Sequence, residues 1–276
     1  MHLTNKGMEL PKEIVRDFGG KRYQYYDIGS GPLTVIVLHG IVSTKNWSIR
    51  PIRYLYDKYR CIALDLPGHG GISLDGFSNI EDVGRYVRQF VHHLSLTNVV
   101  IFGYSLGGMV AYSVEKLFRG EPWLKGIIVW ASPMTGVSGL TKQARILFTG
   151  MRMPTAIGAT LKSPAMLGAL TKLIGVPFSK EERQAISEFP IKTLSAWAPM
   201  IMEASNDVCP LVPGLYLYDP YDVLVSEKNL GYIKNRKNEN CTVEVIPEGG
   251  HFGPERVQRL VLSECATFLK GLEKTR

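Results

Sequence analysis

The 276-residue sequence predicts one α/β domain, a mostly parallel β-sheet flanked by helices, with an inserted helical cap. Short apolar runs alternate with amphipathic helical patterns, as expected when helices cover both faces of a parallel sheet. Between residues 136 and 206 the strand signal is lost, and short helical patterns rich in Met, Ala, Leu and Gly replace it. Strand patterns then resume. We therefore expect residues 136–206 to form a cap within a single domain of residues 1–276, rather than a second small helical domain.

The strands of the sheet are predicted from apolar runs in chain order. Residues 21–27 alternate with tyrosines and predict an edge strand at the start. Six later runs have the length and continuous apolar character of strands buried on both faces. They are residues 33–38, 61–64, 98–102, 126–130, 214–218 and 242–246.

The helices are predicted between these runs. Ser78 and Glu81 have the spacing of a capping box, and an apolar stripe over residues 80–94 follows them. Near the end of the chain, Pro254 is predicted at the first position of a helix that buries Val257 and later apolar residues. Each helix would pack an apolar face on the sheet.

The cap segment contains ten large apolar residues whose role the sequence leaves open. They either line an apolar acyl pocket or bury the cap against the core, and methionines would make such a pocket permissive. These residues are Met151, Met153, Met166, Leu167, Leu170, Leu173, Ile174, Trp197, Met200 and Met202.

The composition, 45% hydrophobic and 21% charged, is that of a globular protein. The net charge of +7 comes from scattered basic residues, so nucleic-acid binding is not predicted. The charge indicates a solubilising surface or attraction to anionic substrates or lipids. Four cysteines form neither a CxxC pair nor a metal-ligand spacing. Because no signal peptide and no transmembrane segment of ~18 apolar residues is found, we expect a cytoplasmic protein.

The motif Gly103-Tyr104-Ser105-Leu106-Gly107 carries the clearest chemical signal. It lies between an apolar strand and a helical pattern, which is the setting of a nucleophile elbow. In that turn the serine is held in a strained conformation, and the glycines allow backbones to pass closely. Ser105 is therefore the predicted nucleophile, and a structural Gly-Ser turn is the alternative.

A serine hydroxyl needs a neighbouring base, and a histidine is the side chain that most often serves as one. His92 and His93 end the capped helix, where exposure is expected, and His39 and His69 lie in glycine-flanked turns. His251 lies in a glycine-rich loop between the last strand and the last helix, from which it could reach the edge of the sheet where the serine projects. His251 is the predicted base, and a buried structural histidine is the alternative.

Two aspartates, Asp219 and Asp222, follow the strand predicted at 214–218. Here the chain resembles the α/β-hydrolase superfamily, whose members often carry Gly-x-x-Asp after this strand. The resemblance implies that Asp222 is the acid of a Ser105–Asp222–His251 triad, with Asp219 in place of the family's glycine. Asp219 remains the alternative acid. Residues 131–133 contain no carboxylate, although some relatives place the acid there.

The resemblance covers roughly residues 20–270 and extends to two further stretches. Residues 38–41 are similar to the family's oxyanion loop, which implies that the backbone N–H groups of Ile41 and Leu106 bind the developing oxyanion. Residues 65–70 resemble a structural turn of the family. The implied enzyme needs neither a metal nor an organic cofactor, so none is expected.

The resulting expectation is a carboxylesterase that acts on a small-molecule ester with a small or medium apolar acyl group. A lactonase, an amidase, a monoglyceride lipase, a C–C bond hydrolase and a perhydrolase would use the same triad. Ser105, in place of an aspartate, argues against the dehalogenase and epoxide-hydrolase branches. A non-catalytic ligand-binding protein of the same fold is the alternative outside enzymes. The sequence makes no prediction of oligomeric state.

Overall fold

The computed structural model describes residues 11–151, 189–205, 210–236, 240–247, 249–251 and 253–274. Its strands in chain order are β1 (Ile14–Phe18), β2 (Lys21–Ile28), β3 (Thr34–Leu38), β4 (Arg60–Leu64), β5 (Val99–Tyr104), β6 (Leu124–Trp130), β7 (Gly214–Tyr218) and β8 (Cys241–Val245). They form one sheet in the order β1-β2-β4-β3-β5-β6-β7-β8. Strands β3 to β8 run parallel, whereas β1 and β2 are antiparallel to their neighbours. The predicted mostly parallel sheet is confirmed.

The α-helices of the described residues lie between the strands. They are α1 (Ile49–Leu55), α2 (Ile80–His93), α3 (Leu106–Phe118), α4 (Lys142–Met151), α5 (Ile191–Glu203), α6 (Lys228–Arg236) and α7 (Glu255–Lys274). Short 3-10 helices cover Lys45–Ser48 and Gly136–Gly139. None of the helices in these ranges is long and apolar enough to cross a bilayer.

The core consists of two apolar clusters, one on each face of the sheet. Strand β3 contributes to both, because Ile36 and Leu38 pack on the side of α2 and α3 while Val35 and Val37 pack on the side of α1 and α7. Side chains of a strand alternate between faces, so a strand covered on both sides is apolar throughout. This burial explains why the central strands are so clear in the sequence.

The strand predicted at the edge of the sheet is not the edge strand. β2 pairs with β1 on one side and with β4 on the other. The true edge, β1, was missed because its residues are only partly buried or exposed, so it lacks the apolar run of the inner strands.

Two predicted helix starts are each displaced by one residue. The N-cap of α2 is Asn79 rather than Ser78, because the Asn79 side chain accepts a hydrogen bond from the Asp82 N–H at 2.8 Å. Glu81 is therefore not the reciprocal partner, and Asp82 accepts the Ser78 N–H instead. Helix α7 begins at Glu255, and the Pro254 carbonyl accepts its first hydrogen bonds.

The cap predicted for residues 136–206 is described near its two ends. Helices α4 and α5 pack against each other there. Met153, Met166, Leu167, Leu170, Leu173, Ile174 and the side chain of Met151 lie outside the described residues. The cap therefore stays a prediction. Helices α4 and α5 at its two ends are described, and their positions relative to Ser105 are given below.

Candidate active site

Ser105 lies between the end of β5 and the start of α3, at the carboxyl edge of the parallel strands. Its φ of 51° and ψ of −115° belong to a region that residues with a side chain rarely adopt. The Ser105 N–H donates to the Trp130 carbonyl at 2.9 Å, which ties the strained residue to β6. The backbone is therefore fixed in a conformation that raises the side chain above the sheet edge.

The glycines on either side of Ser105 are required by close backbone contacts. A Cβ at Gly103 would collide with the Gly107 carbonyl, and a Cβ at Gly107 would collide with the Leu38 carbonyl. Strand β5, helix α3 and strand β3 could not approach in this way with side chains at these two positions. The spacing of the motif therefore follows from the geometry of the turn.

His251 approaches Ser105 from the loop between β8 and α7. Its Nε2 lies 3.0 Å from the Ser105 Oγ, and its side chain is buried. The Tyr104 hydroxyl donates to the His251 carbonyl oxygen at 2.9 Å. The residue that precedes the serine thus also holds the backbone of the histidine, a contact that the sequence did not predict.

Asp222 lies on the opposite side of the imidazole, after β7. Its Oδ2 is 2.9 Å and its Oδ1 3.1 Å from the His251 Nδ1, and the same Oδ1 accepts the N–H groups of Leu224 and Val225. An ionised carboxylate can only accept, so Nδ1 carries the proton and Nε2 is free to accept the Ser105 hydroxyl. The three side chains form one hydrogen-bonded chain.

Asp219, the alternative acid, has other partners. Its Oδ1 accepts the Tyr221 N–H at 2.7 Å, and its Oδ2 accepts the N–H groups of Gly249 and Gly250. The Asp219 carboxylate therefore accepts hydrogen bonds from backbone N–H groups, while the carboxylate of Asp222 holds the His251 imidazole.

Ile41 and Leu106 face the same pocket as Ser105 and His251. The N–H of Leu106 is the first of α3 and so has no acceptor inside that helix. In the described part of the chain, the N–H of Ile41 makes no hydrogen bond. Both N–H groups are thus available beside the serine, as an oxyanion site requires.

The pocket has about 310 Å³ of empty space, part of which is open to solvent. Apart from Ser105 and His251, the described residues that line it are apolar. They are Ile41, Leu106, Met109, Pro133, Leu140, Phe148, Ile201, Leu224 and Val225. Most of these were missed, because single apolar residues carry no pattern that separates a pocket from the core. Ile41 and Leu106 are the exceptions, because both were predicted as oxyanion donors.

The described apolar residues of the cap segment pack in the core, and some of them also line the pocket. Phe148 of α4 and Ile201 of α5 belong to the core cluster and also line the pocket. Trp197 is fully buried and donates from Nε1 to the Pro67 carbonyl, and Met200 is buried in the core cluster beside it. Met202 is partly buried against that cluster. Trp197, Met200 and Met202, the described side chains among the ten apolar residues named from the sequence, therefore bury this segment against the core, and Phe148 and Ile201, which line the pocket, were not among those ten.

His39 and His69, the histidines of the two glycine-flanked turns, are both buried. His39 Nδ1 donates to the Gly40 carbonyl and Nε2 accepts the Leu66 N–H, an arrangement of neutral imidazole. Burial lowers the pKa of His39 to about 4 and that of His69 to about 3, since imidazolium is poorly solvated there. Both histidines hold turns next to the site and are neutral at neutral pH.

The model of the Alpha/beta hydrolase family matches residues 35–261. The chain is similar to YugF of Bacillus subtilis, described as an uncharacterized hydrolase, with 31% identity over 90% of this chain and 93% of that protein. It is also similar to a protein of Haemophilus influenzae described as a 2-succinyl-6-hydroxy-2,4-cyclohexadiene-1-carboxylate synthase, with 36% identity over 41% of this chain. That match spans 46% of the relative, so the chain covers less than half of its length.

The structure is similar to that of an esterase from Exiguobacterium antarcticum. The TM-score is 0.77, and the match covers 95% of this chain and 100% of the esterase. The sequence identity is 17%, so this likeness establishes the fold and leaves the substrate to be argued from the site.

Proposed function

Because the chain belongs to the Alpha/beta hydrolase family, we propose that it is a serine hydrolase that cleaves carboxylic esters with small to medium apolar acyl groups. The observation that carries the proposal is the continuous hydrogen-bonded chain from Ser105 through His251 to Asp222. The nucleophile, its base and the acid that orients the base are within hydrogen-bond reach of one another. They lie beside an apolar pocket and beside the N–H groups of Ile41 and Leu106, for which the described residues provide no acceptor.

The reaction begins when the Ser105 Oγ attacks the ester carbonyl carbon while its proton passes to Nε2 of His251. The new C–O bond converts the carbonyl oxygen to an oxyanion. Asp222 accepts from Nδ1–H and stabilises the imidazolium that forms. When the tetrahedral intermediate collapses, the imidazolium donates its proton to the departing alkoxide. The acyl group is left on Ser105.

Water completes the cycle by the same route. His251 takes a proton from a water molecule, which attacks the acyl carbonyl, and then returns that proton to Oγ of Ser105. The N–H groups of Ile41 and Leu106 are proposed to bind the oxyanion in both halves of the reaction. In related sites the loss of one such donor lowers kcat by about 10²- to 10³-fold.

The lining of the pocket supports the substrate class. An apolar wall favours an acyl chain over a charged group, since burial of an unpaired charge is costly. No lysine or arginine is among the described residues that line the pocket, which argues against a carboxylate-bearing acyl group.

A substrate screen tests this proposal. We expect the purified protein to hydrolyse p-nitrophenyl esters, with a maximum at short or medium acyl length. Lactones, anilides, monoglycerides, β-diketones and peroxide with acetate should be tested in parallel, because a lactonase, an amidase, a lipase, a C–C hydrolase or a perhydrolase could use the same residues. A higher kcat/KM on one of these classes than on every ester would replace the esterase assignment.

A further inference from the structure

We propose that Asp219 is a positioning residue for this hydrolysis, whose carboxylate fixes the loop that presents His251 to Ser105. The inference rests on the proposed function, in which His251 is the base. It assigns a role to the aspartate whose carboxylate does not contact the His251 imidazole. Asp219 would act on the reaction only through the backbone of its neighbours.

The contacts of Asp219 all lead to the two segments around the imidazole. Oδ2 accepts the Gly250 N–H at 2.7 Å and also the Gly249 N–H, and these are the two residues that precede His251. Oδ1 accepts the Tyr221 N–H at 2.7 Å, and the Asp219 carbonyl accepts the N–H of Asp222 at 3.2 Å. One residue therefore joins the turn that carries the acid to the loop that carries the base.

The loop is shaped to receive this carboxylate. A Cβ on Gly249 would lie 2.7 Å from the Asp219 Oδ2 and 2.7 Å from Cγ1 of Val257, so only glycine fits between them. Gly250 has a φ of 59°, in the region that favours glycine. The two glycines let consecutive N–H groups converge on one oxygen.

The burial of Asp219 makes this interaction strong. Its side chain is 1% exposed, and a buried carboxylate is tolerated only where hydrogen bonds replace its lost hydration. Three backbone N–H groups do so here, and hydrogen bonds to an ionised acceptor are roughly twice as strong as neutral ones. The loop position is therefore set from two sides, by Asp219 before the histidine and by Tyr104 at its carbonyl.

The position of the loop matters for the rate because His251 must remain 3.0 Å from the Oγ of Ser105. A displacement of about 1 Å in a catalytic group can lower the rate by roughly 100-fold. Loss of the Asp219 contacts would therefore lower kcat. KM should change little, since Asp219 is not among the residues that line the pocket.

The test compares Asp219→Asn with a matched control. Asparagine keeps the size of the side chain, but its NH₂ group cannot accept, so at least one N–H loses its acceptor. Glu115→Gln is the control, because Glu115 is also a buried carboxylate that accepts a backbone N–H, that of Leu211 at 2.8 Å. Three quantities are measured on each protein: kcat and KM on the best ester, the labelling rate of Ser105 by a fluorophosphonate, and hydrogen exchange of the Gly249 and Gly250 amides in ¹⁵N-glycine-labelled protein.

We expect Asp219→Asn to lower kcat and the labelling rate by roughly 10- to 100-fold with KM within about twofold. Exchange of the two glycine amides should become at least about tenfold faster. Glu115→Gln should lower the melting temperature and leave all three quantities near wild type. Faster glycine exchange with unchanged kcat would overturn the positioning role and leave Asp219 a structural residue.

A measurement on the wild-type protein keeps the inference testable if Asp219→Asn does not fold. In the wild-type protein the Gly249 and Gly250 amides should be protected, and exchange at the rate of an unstructured peptide would overturn the inference. Failure of the proposed function is recognised separately, because the wild-type protein would then neither turn over esters nor react with the fluorophosphonate. Such a result would refute the positioning role as well, even if the glycine amides were protected.

Discussion

The chemistry proposed for single residues depends most on the Ser105 side chain. Its backbone is held in a rare conformation by a hydrogen bond to β6 and by two glycines without room for a Cβ. Substitution of the side chain alone leaves these constraints in place. The role of the hydroxyl can therefore be tested without disturbing the fold.

We predict that Ser105→Ala lowers ester turnover by roughly 10⁴-fold or more, as loss of a triad member does elsewhere. The far-UV circular dichroism spectrum and the melting temperature should stay close to wild type. The comparison is made with kcat on the best ester from the substrate screen. Turnover near the wild-type level by a folded Ser105→Ala protein would exclude a serine nucleophile.

The two aspartates after β7 should differ in their effects. Asp222→Asn should lower kcat by about 10⁴-fold, because an amide no longer selects the imidazole tautomer that can accept the serine proton. Asp219→Asn should have the smaller effect given above, since its carboxylate binds backbone N–H groups. Measurement of kcat for both variants on one ester shows which aspartate is the acid. The opposite ranking would transfer the role of the acid to Asp219.

The buried histidines predict a dependence of stability on pH. The pKa of His39 is lowered from 6.5 to about 4 and that of His69 to about 3, chiefly by burial. Between pH 6.5 and these values the unfolded chain binds more protons than the folded protein, so the free energy of unfolding falls as the pH decreases. Removal of one titrating group should make that fall shallower.

His69→Gln tests this, because glutamine does not titrate. Its melting temperature, measured from pH 7 to pH 4, should decline less steeply than that of the wild-type protein. His92→Gln, at an exposed histidine of α2, is the control. If the melting temperatures of His69→Gln and the wild-type protein declined equally with decreasing pH, the buried His69 imidazole would not be a cause of the pH dependence.

At the scale of whole elements, most strands could be predicted from the sequence, whereas the roles of the helices near the pocket became clear only from the structure. The central strands were found within one or two residues because burial on both faces makes them continuously apolar. Strand β1 was missed because it is partly exposed. In the cap segment, the apolar residues of α5 look alike in sequence, and Met200 and Ile201 both pack in the core cluster, yet Ile201 also lines the pocket.

This division predicts different outcomes for two substitutions. Phe148→Ala should widen the pocket and shift the preference towards longer acyl chains, with each methylene worth about 1–3 kcal/mol of discrimination. Met200→Ala should leave the ranking of esters unchanged and destabilise the fold by about 2–5 kcal/mol. The ester profile and urea-induced unfolding are measured on both variants. A loss of stability without a change of ranking in Phe148→Ala would contradict its place in the pocket.

For the whole molecule, the parallel sheet explains why distant residues meet. Ser105, Asp222 and His251 each follow a strand, β5, β7 and β8, and the carboxyl ends of parallel strands share one edge. The family, the sheet and the three candidate side chains could be predicted from the sequence. The choice between the two aspartates could not be made from spacing alone, because both follow the same strand and only the geometry distinguishes an imidazole from a backbone partner.

The central claim is that Ser105 is a covalent nucleophile, and reaction with a fluorophosphonate followed by mass spectrometry tests it most directly. We predict one adduct per wild-type chain, mapped to the peptide that contains Ser105, and none in Ser105→Ala. Ser113→Ala, at a buried serine further along α3, is the control and should be labelled like the wild-type protein. A folded wild-type protein that forms no adduct, or a Ser105→Ala variant that is labelled equally well, would contradict the account.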